Sequence, residues 1–268
     1  MLFLTLQEIV AQPLREVFMH VVVIHGWKEE TPELVQTLAA ALGVMVFEAR
    51  QRMIGGGPSV VASFADPQHA MALADKLRQG GISALVVDAT AVRNRTGFFI
   101  VRRFVPGTSA LHIEENDGNS ADIPYEEIDL LLPCTSVTGH TETKTVTERK
   151  FSLGKTILSG GIPMKSKVER KEEVSSEETR KFLYLHAGTR PLMLFSQDNL
   201  TYDGFGSAMK MSRELNFAYL LSELRRLCPH AVYDDRLLNR AGQVRILGPA
   251  QNMANLDLAA EILIRTLR

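Results

Sequence analysis

A chain of 268 residues, 45% hydrophobic and 23% charged, has a globular composition and can bury one large core or two ordinary ones. Its 30 Lys and Arg against 31 Asp and Glu leave a net charge of −1, which excludes a global pull toward nucleic acid or acidic lipid. No apolar run approaches the roughly 20 residues that span a bilayer. Two distant cysteines, Cys134 and Cys228, form no disulfide framework and fit a reducing, cytoplasmic compartment.

Residues 1–18, MLFLTLQEIVAQPLREVF, lack the basic leader and the small-residue cleavage site of a secretory signal. The ordered pattern starts at Met19, so either Met19 is the natural start or 1–18 form an added helix. His20 to Ile24 is a β-branched run suited to a buried strand. Thr31 followed by Pro32 reads as a helix start, with an apolar stripe Leu34, Val35, Leu38, Ala41, Leu42 and a closing Gly43. A short helix is predicted over Val46 to Met53, broken by Gly55-Gly56-Gly57-Pro58. Ser59 to Phe64 is a strand. Asp66-Pro67 then caps a third helix that ends at Gly80-Gly81, and Ile82 to Val87 is the closing strand. The order β-α-α-β-α-β predicts a small open sheet with helices on one face, over residues 19–92.

The triple glycine is a poor phosphate loop. Such loops leave a strand and open into a helix, whereas this one leaves a helix and enters a strand.

The stretches Leu42-Gly43-Val44-Met45-Val46-Phe47-Glu48-Ala49-Arg50 and Ala70-Met71-Ala72-Leu73-Ala74-Asp75-Lys76-Leu77-Arg78-Gln79-Gly80-Gly81 resemble the C-terminal domain of the bacterial ribosomal stalk protein. The chain as a whole has the look of a bacterial protein. The resemblance implies the same element order, and that domain docks translation factors through basic residues on its first two helices. The corresponding places here read Gln36, Ala39 and Phe47, and only Arg50 keeps a charge. The fold is therefore carried over and the ribosomal role is not. Trp27, Phe47 and Arg50 are left as interaction candidates, with Trp27 readable either as a partner anchor or as cover for the sheet edge.

The polar stretch Val92 to Thr96 reads as a boundary, and residues 93–268 as an antiparallel, β-rich domain closed by helices. Strands are predicted over Gly97 to Val105, Ala110 to Ile113, Ala121 to Tyr125 and Glu126 to Leu132, the last ended by Pro133. Asp117-Gly118 marks a hairpin. A calcium loop built on Gly118 would begin at Ile113, which has no oxygen to offer. Thr135 to Lys150 favours strand, and Lys171 to Arg180, charged and Ser-rich, reads as an exposed loop. Gly154-Lys155-Thr156 lacks the first Walker glycine, because Arg149 stands there. Arg149, Lys150 and Lys155 are nevertheless candidates for an anion-binding patch, against the reading of a solvated, salt-bridged strand pair.

A hairpin is predicted around Gly188 to Pro191, a further strand over Asn199 to Phe205, and a helix over Arg213 to Leu227 capped by Ser212. Tyr233 to Arg236 opens a loop holding a short apolar piece, Val244 to Leu247, and a last helix covers Leu256 to Leu267. Hairpins closed by an amphipathic helix are similar in outline to a pleckstrin-homology barrel. The whole is an α+β chain.

No nucleophile elbow, His-Glu-x-x-His or Cys-x-x-Cys occurs, so no catalytic residue, metal or cofactor is assigned. Cys134 with His140, and Cys228 with His230, are separated pairs, short of the ligands zinc needs. Asp234, Asp235 and Arg236 read as an arginine holding carboxylates in a loop, or as an acid pair beside a cation. His112 and His186 read as packed strand residues. These features rank a non-enzymatic interaction protein with a protein partner first. A binding module for an anionic small molecule or lipid head group follows, then an enzyme of unfamiliar type.

Overall fold

In a computed structural model the described residues are 19–151, 165–248 and 256–267, those of 138–151 and 165–178 by backbone alone. The fold is α+β.

β1 (His20–Ile24) is the centre of a three-stranded sheet and pairs antiparallel with both β2 (Ser59–Phe64) and β3 (Ala84–Asp88). α1 (Pro32–Leu42) starts where Thr31 Oγ1 accepts from Leu34 N, and ends at Gly43, whose φ of 67° is left-handed. α2 (Val46–Met53) follows α1 after three residues, and α3 (Pro67–Gln79) starts where Asp66 accepts from Gln68 N. Val22 and Ile24 face these helices, packing with Val35, Leu38, Ala49, Met53, Ala74 and Leu77. Val21 and Val23 face the other way into a different core. From Val21 to Ile24 β1 is apolar throughout because it is buried on both faces.

The polar boundary expected at 92–96 is in part helical: α4 (Ala89–Arg93) is capped by Asp88, which accepts from Thr90 N and Ala91 N. The stretch expected as one strand from Gly97 is two, β4 (Phe99–Val101) and β5 (Arg103–Pro106), which lie in different sheets. β5, β6 (Ala110–Glu114) and β7 (Ser120–Pro124) form an antiparallel meander. A larger sheet has the order β11-β8-β9-β10-β4. It comprises β8 (Ile128–Phe151), β9 (Lys165–Ala187), β10 (Met193–Ser196) and β11 (Val232–Tyr233), with parallel pairs at both edges.

Four expectations are corrected by these elements and their neighbours. β8 continues through Pro133, and Lys171 to Arg180 is strand rather than loop. Thr201 makes only an isolated bridge to Arg103, and Asp203–Ala208 is a 3-10 turn where a strand was expected. The segment after Tyr233 is not a loop: a 3-10 turn at Arg236–Leu238 leads into α6 (Arg240–Leu247).

α5 (Arg213–Leu227) is capped by Ser212 Oγ and sends Phe217, Leu220 and Leu224 into a core with Phe104, Ile113, Leu131, Leu183 and Phe195. α7 (Leu256–Thr266) joins the second face of the small sheet to the large one: Leu258, Ile262 and Leu263 pack with Val21, Val87, Leu130, Leu132 and Tyr184. Where β9 runs through residues 183–185 the large sheet is buried on both sides, with Leu183 and Leu185 turned to one core and Tyr184 to the other. Residues 19–134 and 182–267 belong to one compact unit, and the described residues of 135–181 to a second.

Candidate functional site

α2 has two faces with opposite duties. Ala49 and Met53, four residues apart, are fully buried under the small sheet, while Val46 and Phe47 point outward. Its first turn is fixed by Glu48, whose Oε2 accepts from Met45 N at 3.3 Å. α6 is built the same way. Gln243, Ile246 and Leu247 are buried, and Asn239 caps its start by accepting from Gly242 N at 2.8 Å. Its exposed side carries Arg240, Ala241, Val244 and Arg245.

Between the outward sides of these two helices lies an open groove of about 810 Å³. Ser59 and Val60 of β2, both buried, contribute to its lining. Phe47 is 69% exposed at its lip, with Ile54 and Val244 each 42% exposed beside it. The cations Arg52, Arg240 and Arg245 line it against one carboxylate, Glu48. Arg52 Nη1 donates to the carbonyl of Val61, and the Arg245 guanidinium lies so close to Gly55 that a side chain there would collide with it. Gly55 has φ of 84°, which also favours glycine. The arrangement offers an apolar cleft with a basic rim.

The interaction candidates divide. Phe47 lines the groove. Arg50 does not, and pairs with Glu30 at 3.8 Å. Trp27 braces instead: its Nε1 donates to the carbonyl of Met53 at 3.1 Å, and its ring fills the space beside Gly57. Trp27 also lines a small hollow of about 120 Å³ with His25 and Leu34, where burial and the nearby Arg78 hold the His25 pKa below its ordinary value. Of the anion-patch candidates, Arg149 and Lys150 fall in β8 with side chains outside the described residues, and Lys155 lies outside them altogether.

Arg236 grips Asp234 by both carboxylate oxygens, at 2.6 to 3.0 Å, and its Nη1 donates to Gly57 O at 2.5 Å. That is a structural clamp between a loop and the glycine turn. Cys228 is buried in the core around α5, and burial pushes its thiol up to about 11. Cys134 is likewise buried and raised, with Sγ donating to Phe182 O. His112 is exposed rather than packed, with Nδ1 2.7 Å from Asp122 Oδ1. His186 is buried, as expected, but carries an acid partner, Asp129, at 2.6 Å.

Arg240, Val244 and Arg245 went unseen as site residues because their segment reads as loop. The one available signal was the Val244, Ile246, Leu247 spacing, too short to separate helix from strand. No family model matches the chain, and neither a curated protein nor a solved structure matches it.

Proposed function

We propose that this chain is a non-enzymatic protein-interaction protein, which docks an apolar, acid-flanked segment of a protein partner in the groove between α2 and α6. The observation that carries the reading is Phe47, 69% exposed at the mouth of an apolar cleft that three arginines rim. A large aromatic left in water gives up transfer free energy of about 1.5–3 kcal/mol that a partner could recover. Exposed apolar patches with a charged rim mark docking surfaces, and aromatic and arginine side chains dominate their energetics. The excess of cations over Glu48 selects Asp and Glu at the flanks of the bound segment. Two short helices with a cleft between them suit an amphipathic helix laid along the cleft.

Peptide display on the full chain tests this, with clones that also bind Phe47→Glu subtracted. The expected consensus has apolar positions at helical spacing and acidic flanks. A basic consensus, or peptides that hold Phe47→Glu equally well, would overturn the reading. So would a wild-type dimer that Phe47→Glu converts to monomer in sedimentation, because the occupant would then be a second copy.

A further inference from the structure

A second cavity lies away from the groove residues, and its lining has a different chemistry. It measures about 530 Å³ and is lined by Arg95, Arg190, Arg265, His186 and Glu261, together with Thr96, Gly97 and Thr189. We propose that it binds a phosphoryl group, either inorganic phosphate or the phosphate of a small monoester.

Glu261, on α7, is more than nine-tenths buried and holds two guanidiniums, Arg95 Nη1 at 2.8 Å and Arg265 Nε at 2.6 Å. One carboxylate neutralises one of them and leaves the other in surplus. Arg190 Nε donates to Glu127 Oε2 at 2.7 Å, and Glu127 is not part of the lining. The lining thus holds three cations and one acid, and with Arg190 paired from outside by Glu127 one guanidinium remains in surplus.

Each guanidinium has five N–H donors, and one or two suffice for the carboxylates. The side chains of Arg95, Arg190 and Arg265 are 34%, 36% and 46% exposed, so water or a ligand reaches them. Their ion pairs hold the forks in place, which lowers the ordering cost when an anion arrives. A planar carboxylate offers two acceptor oxygens, whereas a phosphoryl group offers three, which three guanidiniums in one lining can share.

His186 adds the fourth group. Its Nδ1 is engaged by Asp129 Oδ1 at 2.6 Å, and Asp129 lies outside the lining. A carboxylate at Nδ1 favours the tautomer with the proton on that nitrogen, which leaves Nε2 as an acceptor, the complement of the O–H of a monoprotonated phosphate. The acids Glu127 and Asp129, paired with Arg190 and His186 from outside the lining, temper the field.

The experiment is a titration of the full chain, followed by amide chemical shifts, with sodium phosphate, glycerol phosphate and sodium succinate at constant ionic strength. Saturable shifts at Thr96, Gly97 and Thr189 with the first two are expected. Arg190→Ala should weaken binding by about tenfold or more, and Arg190→Lys should restore part of it. Arg103→Ala, outside the lining, should bind as the wild type does. Tighter binding of the ester identifies a phosphorylated small molecule as the ligand, and equal binding identifies free phosphate. Succinate bound as well as phosphate would overturn the phosphoryl assignment. Absence of saturation by about 20 mM, or an Arg190→Ala protein that binds unchanged, would overturn the site.

Discussion

Arg236 Nη1 donates to the carbonyl of Gly57 at 2.5 Å, across 179 positions of sequence, while the same guanidinium holds Asp234 bidentately. Gly57 belongs to the turn between α2 and β2, and Arg236 opens the 3-10 turn that leads into α6. One side chain thus fixes the spacing of the two helices that wall the groove. Asp234 is 11% exposed, so removing its partner strands a mostly buried carboxylate. Arg236→Ala should cost about 2–4 kcal/mol in urea unfolding and should weaken peptide binding in the groove. Arg236→Lys, which keeps the charge but loses the fork, should recover only part of both.

Gly242 makes the second contact that sets α6. A Cβ there would run into the carbonyl of Arg236, a backbone atom that cannot swing away. Gly242→Ala should therefore destabilise by about 1–3 kcal/mol, even though alanine favours helix. A rise in melting temperature would refute the contact.

Glu261 ties stability to pH. Burial alone would raise its pKa, but hydrogen bonds and charge from Arg95 and Arg265 prevail and hold it below the ordinary 4.5. A carboxylate with a lower value folded than unfolded adds stability that is fully present above 4.5 and is lost as pH falls through the folded value. Glu261→Gln should be less stable than wild type at neutral pH by about 1–3 kcal/mol. The gap should close in acid, as read from urea midpoints at neutral pH and again well below the ordinary carboxylate range. A constant gap would contradict the ion-pair account.

Both cysteines should be inert in the folded chain. Cys228 is buried with its thiol pushed up to about 11, and Cys134 is fully buried. The thiolate is the reactive form, so a thiol reagent at neutral pH should label neither until denaturant is added.

Much of the small sheet and its helices was legible because its signals are local. Thr31-Pro32, Asp66-Pro67 and Ser212 announce helix starts through side chains that accept the first free amides, and Gly43 closes α1 in the left-handed region. Where the signal is not local, the reading failed. α4 has five residues, too few to show a period. Pro133 looked like a strand end, yet Leu131 O accepts from Asp234 N on the β11 side, and residue 133 faces that same side after β11 has finished. No ladder bond is asked of its missing N–H. Lys165 to Arg180 holds only Val168 and Val174 as apolar residues, so no alternation betrays the strand.

The sites were less legible than the fold. Phe47 stood out as an aromatic on a short helix, but its groove needs α6, and its second wall is set by contacts nearly two hundred positions away. Glu261 reads in sequence as one more charge on an amphipathic helix. Its burial between Arg95 and Arg265 exists only once α7 is packed.

Hydrogen–deuterium exchange on the full chain, with and without an acid-flanked peptide selected on the wild type, tests the docking reading most directly. Slower exchange confined to Val46–Met53, Arg240–Leu247 and the start of β2 is predicted, and its loss in Phe47→Glu. Protection elsewhere, with those two helices exchanging as before, would contradict it.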